Sequence, residues 1–343
     1  MRYRTGRVTS GASVILIGLL ALLANLTTID WFYFLSRLWP LILIGYGIEY
    51  FWAGRKGERT SFDLVGVLIV ILALGFAFGT SFSGSGGFPF IGERYTFQDD
   101  PLVVEGNGID SFLARGENGS VTIQPAEDGK ITIYATYRIR GSSRERALER
   151  KEGLELDVQR DGERLVARVI KPRSVGFTLG SDRVDLDIYL PDHLNVGGET
   201  SNGSVEVDSM GDVGRLKTTN GRIKVTSSRG AADLRATNGR IEVIDFIGGL
   251  VIGTTNGSVV VEGELEGDWN ISTTNGGVRV TVPEDGSYKY VFSTGNGSIR
   301  LPDPPFTGRK SRNRYEGEIS GGEHNLEIRT SNGSITVNLG TRG

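Results

Sequence analysis

Residues able to do chemistry are sparse in this chain. Its 343 residues include no Cys and two His, His193 and His324, which removes disulfides, thiolate metal sites, a cysteine nucleophile and any multi-histidine metal cluster. Neither His stands beside a plausible acid and nucleophile, so each reads as a solvated strand-end residue. Glycan-cleaving solenoids need carboxylates gathered on one face, whereas Asp208, Asp212, Asp233 and Asp245 fall at different positions of the repeat set out below. Glu49 sits in an apolar stretch, where a signalling or proton role is conceivable; its nearness to Arg55 and Lys56 favours an interfacial ion pair. The basic run GRKSRNR at 308–314 has the charge to meet an anionic polymer or lipid headgroup, and reads more simply as a solvated loop. A formal net charge of −3 argues against capture of nucleic acid. These residues predict no catalysis, no metal and no cofactor.

Along the chain, residues 1–81 hold 7 Lys/Arg and 4 Asp/Glu, and the rest hold 31 and 37. The first part reads as a membrane domain, 1–82, with three helices at about 8–29, 33–54 and 64–82, each apolar over a spanning length of about 20 residues. Arg2, Arg4 and Arg7 before the first helix, and Arg55, Lys56 and Arg59 after the second, place the N-terminus in the cytoplasm and everything after residue 83 outside, a multi-pass arrangement in the lipid bilayer. A cleavable signal peptide is the weaker reading, because no small-residue cleavage motif stands out. Residues 83–92 close a Gly/Ser-rich tether.

From residue 93 the chain is strand-like: VTIQ, KITIYATYRIR, LELDVQ, RLVARVI and VDLDIYLP alternate or run apolar between turns. SSRERALERKEG at 142–153 is the exception, with a Ser cap, good helix formers and a closing Gly.

The strongest pattern is a repeat. Asn-Gly pairs at Asn202-Gly203, Asn220-Gly221, Asn238-Gly239, Asn256-Gly257, Asn275-Gly276, Asn296-Gly297 and Asn332-Gly333 have successive spacings of 18, 18, 18, 19, 21 and 36 in the numbering. The third and fifth residues after each Asn are aliphatic, as in Val205/Val207, Ile223/Val225 and Ile241/Val243, and a second apolar set follows half a repeat later at Leu216, Leu234, Leu250, Trp269 and Tyr290. Two inward strands per repeat make one turn of an all-β parallel β-solenoid, a single-stranded β-helix expected to wind right-handed. Coils would stack at about 4.8 Å, with each Asn bonding its equivalents and each Gly supplying a positive φ at the corner. The exported domain is thus 93–343, with 18-residue repeats from about 200. Calcium-binding nonapeptide repeats share this period, but the recurring Gly-Gly-x-Gly-x-Asp they need is missing.

The run TSNGSVEVDS, TTNGRIKVTS, ATNGRIEVID, TTNGSVVVEG, TTNGGVRVTV, with VDLDIYLPDHLNV before it and GGEHNLEIRTSNGSITVNL closing it, resembles the family of bacterial β-strand-repeat domains provisionally called adhesins and grouped with toast-rack envelope domains. WPLILIGYGIEY at 39–50 and the Gly-containing first stretch look like the transmembrane region of LiaI/LiaF-type envelope-stress proteins, which often has four spans. The resemblance implies a non-enzymatic, membrane-anchored sensor or modulator acting with a histidine kinase, its solenoid meeting a partner or cell-wall polymer. A self-associating surface adhesin or scaffold is the alternative.

Overall fold

The structure, a computed structural model, describes residues 4–5, 7–26, 44–49, 51–52, 61–62, 67–68, 93–141, 143–170, 182–302, 305–306 and 308–340. They fall into two compact units, 1–93 with 141–146, and 94–140 with 147–343.

In the first unit a helix spans Arg7–Leu26. Its opening amides, which have no partner within a helix, are taken by a distant carboxylate: Glu49 accepts from Val8 N at 3.4 Å and from Thr9 N at 2.9 Å, and from the Thr9 hydroxyl at 2.6 Å. The negative side chain also sits at the positive end of the helix dipole. Ser10 Oγ and Tyr46 Oη lie 2.6 Å apart. Glu49 is therefore a capping group for the first helix, a role its nearness to Arg55 and Lys56 in sequence did not suggest.

The expectation of three membrane-crossing helices is overturned. Among the described residues no helix is long and apolar enough to cross a membrane. The 8–29 stretch becomes the helix Arg7–Leu26, in which Thr9 bonds Glu49, Ser10 lies beside Tyr46 and Ser13 is buried. Of the 33–54 stretch, residues 44–49 and 51–52 are described, as helix, and of 64–82 only 67–68. Arg37, Arg55, Lys56, Arg59 and the tether at 83–92 lie outside the described residues.

The second unit is the expected β-solenoid at its centre. Asn220 pairs in parallel with Asn238, Ile223 with Ile241, Val225 with Val243 and Leu234 with Ile252, one coil on the next. Two strand columns face each other across the interior. One column buries Val205, Ile223, Ile241, Val259, Val278 and Ile335; the other buries Leu216, Leu234, Ile252, Ile271, Ile328 and Phe292. A single coil could not bury such a face alone, whereas full burial of each aliphatic side chain between coils contributes about 1.5–3 kcal/mol.

The order of coils departs from the order of the sequence. The strand His324–Asn332 lies between Trp269–Asn275 and Tyr288–Asn296, parallel to both. After the corner, Ile335–Gly340 runs between Val278–Pro283 and the short strand Ile299–Arg300. The double-length gap before Asn332 is thus no skipped coil. The chain passes the end of the stack, turns back as an antiparallel hairpin and inserts its last coil one place inward.

Both ends depart from the simple solenoid expected over 93–343. At one end Lys130–Gly141 pairs antiparallel with Arg183–Leu190, and Glu155–Asp161 with Arg164–Ile170. The helix expected at 142–153 is present as Arg144–Glu152, with Ser143 Oγ accepting from Arg146 N at 3.4 Å as its cap. At the other end Phe306, Tyr290 and Phe292 plug the bore, Tyr290 and Phe306 meeting edge-on at 5.1 Å. Such caps shield the apolar interior that a bare last coil would expose.

Candidate functional site

The corners form one continuous ladder. Each Asn donates its Nδ2 to the Oδ1 of the preceding coil: Asn202 to Asn118 at 2.7 Å, Asn220 to Asn202 at 2.8 Å, Asn238 to Asn220 at 2.9 Å, Asn256 to Asn238 at 2.8 Å and Asn275 to Asn256 at 2.9 Å. It continues through the inserted coil, from Asn332 to Asn275 at 2.8 Å and from Asn296 to Asn332 at 2.9 Å. All seven sequence-identified asparagines are brought together. Asn118-Gly119 was missed, although Val121 and Ile123 follow it at the repeat's own spacing; the long separation of Asn118 from Asn202 hid it, because the hairpins and helix of the cap are inserted there.

Corner glycines are required for a different reason than expected. Gly203, Gly221, Gly239, Gly257, Gly276, Gly297 and Gly333 do not adopt the left-handed φ; a Cβ on Gly239 would lie 1.7 Å from the carbonyl oxygen of Gly221, and one on Gly221 1.9 Å from that of Gly203. Close stacking of backbones excludes any side chain. The buried threonine two residues before every one of these Asn except Asn238, where Ala236 stands, lies beside the same carbonyls: Thr218 Oγ1 donates to Gly203 O at 2.9 Å, Thr273 to Gly257 O at 3.1 Å and Thr330 to Gly276 O at 3.0 Å. Left-handed backbone occurs at the opposite corner, at Ser209, Ser227 and Asp245 with φ of 56°, 45° and 54°. Their spacing follows the repeat.

Where the period breaks, a cleft opens. The coil ending at Asn275 exceeds the common length by one position and the next exceeds it by three; the first excess is absorbed as register shifts within the continuous strand Val259–Asn275, on either side of its pairing with Phe246–Gly248, and the second falls at the loop between Pro283 and Tyr288. Beside the Ser320–Gly322 turn, where φ is 50°, 91° and 66°, a cleft of about 270 Å³ has walls that include Glu264, Glu266, Asp285, Glu323, His324 and Tyr288. Ser287 Oγ holds the walls together, donating to Ser320 O at 2.7 Å and accepting from Glu323 N at 3.2 Å. Beside it Asp268 accepts from Asn325 N at 2.8 Å and Nδ2 at 3.0 Å, and these bonds hold its carboxyl below the usual range. Tyr288 is buried, its hydroxyl has no hydrogen-bond partner among the described residues, and burial with Tyr290 nearby pushes it up to about 12. Of the two histidines the sequence singled out, His193 is exposed in a turn, and His324 opens its strand at this cleft.

A second opening of about 360 Å³, at the other end, is lined by Tyr137, Asp99, Leu102, Leu154 and Leu156. Lys151 bridges it, 5.0 Å from the Tyr137 ring centroid and paired with Asp99 at 2.5 Å. Asp185 is buried in the same cap. Burial alone would raise its pKa, but the Ser120 amide and hydroxyl, each at 2.8 Å, and Arg183 at 2.9 Å outweigh that and lower it.

The basic run 308–314 is a hairpin, Gly308–Lys310 against Arg314–Ile319, and no loose loop. Glu316 answers part of its charge, accepting from Arg314 at 2.8 Å. Among the described residues no group of three or more His, Cys, Asp or Glu could hold a metal ion.

A stack of β coils joined to an apolar N-terminal region defines a class: a membrane-associated protein carrying a β-strand-repeat domain. The particulars agree, since residues 194–338 match the family model described as Toastrack DUF4097 and residues 8–51 match the one described as the LiaI-LiaF-like transmembrane region. Among solved structures the chain is similar to one provisionally named a cell adhesion protein from Clostridium sporogenes, with 16% identity over 72% of this chain and 100% of the other, and a TM-score of 0.32. It is similar also to one provisionally named an adhesin from Bacteroides fragilis, with 11% identity over 71% and 97% and a TM-score of 0.35. No curated protein matches the chain.

Proposed function

We propose that the protein is a non-enzymatic accessory of the cell envelope, which senses or relays envelope stress by binding a partner or wall component through its solenoid. The observation that carries this reading is the joining, in one chain, of a LiaI-LiaF-like transmembrane region at 8–51 and a toastrack domain at 194–338. The outward column of the coils supports it. Glu206, Lys224, Glu242, Val260 and Arg279 follow one another there, a mixed surface suited to recognition, where hydrolysis would want paired carboxylates. Arg2, Arg4 and Arg7 ahead of the membrane region favour a cytoplasmic N-terminus and an external solenoid. A membrane histidine kinase is the natural recipient of the signal.

The test is deletion of the gene in a strain reporting envelope-stress transcription, challenged with wall-active antibiotics. An altered threshold or amplitude is expected, restored by the full chain. An unchanged response overturns the reading. Protease added to intact cells should cut the solenoid, and complete protection would place it on the other side of the membrane.

A further inference from the structure

We infer that the free strand edge at the first end of the stack docks a partner: an extended segment of another protein, with apolar and basic residues alternating, added antiparallel to Glu155–Asp161. That strand pairs with Arg164–Ile170 on one side and, among the described residues, with no strand on the other. A two-residue turn joins them, with Gly162 at a φ of 62°, so Asp161 and Arg164 close the hairpin as a hydrogen-bonded pair and bonding alternates from there. Leu156 and Val158 fall at the intervening positions. Their N–H and C=O groups therefore face the free side, while their side chains pack against the core. Edge strands are usually guarded by Pro, Lys, a bulge or short length. At the far end the strand Gly308–Lys310 has three residues and carries Arg309 and Lys310. Glu155–Asp161 has seven, in unbroken register, with neither Pro nor Lys.

Behind this edge lies the opening of about 360 Å³, with the buried Ile133, Ala135 and Tyr137 as its floor and Leu102, 38% exposed, and Leu156 at its sides. An added strand turns every second side chain the same way as Leu156, into that apolar space. Charge selects the other positions. Asp100, Glu152 and Glu155 are exposed around the opening and form no ion pair among the described residues, so lysine or arginine side chains at the outward positions meet carboxylates that still lack a counter-charge. A second copy of the same strand does not fit: antiparallel pairing about Val158 would set Glu155 against Asp161 of the other copy, like against like. The inference deepens the proposed partner-binding role of the solenoid and rests on it, adding the place of contact and the chemistry of the partner.

The probe is the peptide acetyl-Lys-Val-Lys-Leu-Lys-Val-Lys-amide, titrated into the full chain in neutral detergent and followed by calorimetry. One-to-one binding is expected. Methylating the backbone nitrogens of its Val and Leu residues should weaken binding about tenfold or more, because these N–H groups face Leu156 and Val158, whereas methylating those of its lysines should leave most of the affinity. A peptide with Glu in place of Lys should bind about tenfold more weakly, and the double variant Glu152→Lys/Glu155→Lys should reverse that preference. Val158→Pro removes an edge N–H outside the hairpin ladder and should abolish binding; if that variant fails to fold, the methylated peptides and the charge reversal decide alone. No binding at millimolar concentration, or equal binding of the two methylated peptides, overturns the assignment, and so does a concentration-dependent dimer of the chain that Val158→Pro abolishes. In the deletion strain, full restoration of the stress response by the Glu152→Lys/Glu155→Lys variant overturns the docking edge and leaves the signalling reading standing. A deletion without effect sinks that reading instead, and the peptide titration still judges the edge.

Discussion

The coils between Asn202 and Asn256 and those between Asn256 and Asn332 share one corner and one interior, and the second set carries the cleft beside Tyr288. In the first set every coil has the same length, so each corner meets its equivalent on the next coil. In the second, the extra residues are taken up as register shifts within Val259–Asn275 and as the loop between Pro283 and Tyr288, and the chain threads its last coil out of turn. Strict repetition gives stability without individuality. The departures from it open a cleft whose lining contains none of the ladder asparagines.

The largest expected contrast concerns whole coils. Deleting residues 221–238 joins Asn220 to Gly239 in register and leaves a shorter stack, which should still melt cooperatively. Removing residues 324–343, a similar length, takes the inserted coil from inside the stack and with it the buried Leu326, Ile328, Ile335 and Val337. Their burial is worth roughly 6–12 kcal/mol together, comparable with the net stability of a domain. Circular dichroism melts should show loss of the cooperative transition in the second variant alone; equal behaviour would contradict the threading.

A smaller contrast concerns single corners. Gly239→Ala places a Cβ 1.7 Å from the Gly221 oxygen, and the coils must part, at a cost of about 3 kcal/mol. Gly277 follows an equivalent corner in the irregular set, where the nearest atom to a Cβ is Ser334 O at 3.4 Å. Gly277→Ala should change stability by no more than about 1 kcal/mol, and toward greater stability, because the unfolded chain loses freedom. Urea denaturation distinguishes the two.

This contrast also marks how far the sequence could be read. The aliphatic pairs after each Asn-Gly placed the interior of the central coils correctly, because stacking turns a sequence period directly into a spatial one: Ile223, Ile241 and Val259 are buried in register. The reason for glycine was not legible, since the clash at Gly239 is with a carbonyl one full coil earlier in the chain and no φ reveals it. Nor was the place of Asn332 legible. A doubled spacing fits a skipped coil as well as an inserted one, and only long-range pairing to Asn275 decides. The cleft lay wholly in the deviations from the common period, where pattern reasoning has least to say, although the longer spacings before Asn275 and Asn296 already pointed to it. In the membrane region an uncharged run did not reveal that Glu49 would close the helix at Val8 and Thr9.

The ladder predicts position-dependent effects of one substitution. Asn238→Ala removes two side-chain bonds, to Asn220 and from Asn256, whereas Asn296→Ala at the end of the row removes only its bond to Asn332. At about 0.5–1.5 kcal/mol for each bond, the interior variant should lose about twice as much as the terminal one. Equal losses in thermal denaturation would mean that the bonds along the row do not support one another.

The smallest effect has the opposite sign. In the regular set Thr218 and Thr254 donate to the corner carbonyls of Gly203, at 2.9 Å, and Gly239, at 3.3 Å. Between them the column holds Ala236, buried, so the Gly221 carbonyl lacks the bond its neighbours receive. Ala236→Thr should restore it, adding about 0.5–1.5 kcal/mol, or about 2–4 °C in melting temperature per kcal/mol for a domain of this size. The added methyl group takes the place that the methyls of Thr218 and Thr254 already occupy one coil away on either side. Ala236→Val separates the two contributions, since it supplies the branched shape favoured in strands without the hydroxyl. A gain from Thr that Val does not share assigns the stability of this column to its hydrogen bonds, while an equal gain from Val would assign it to packing.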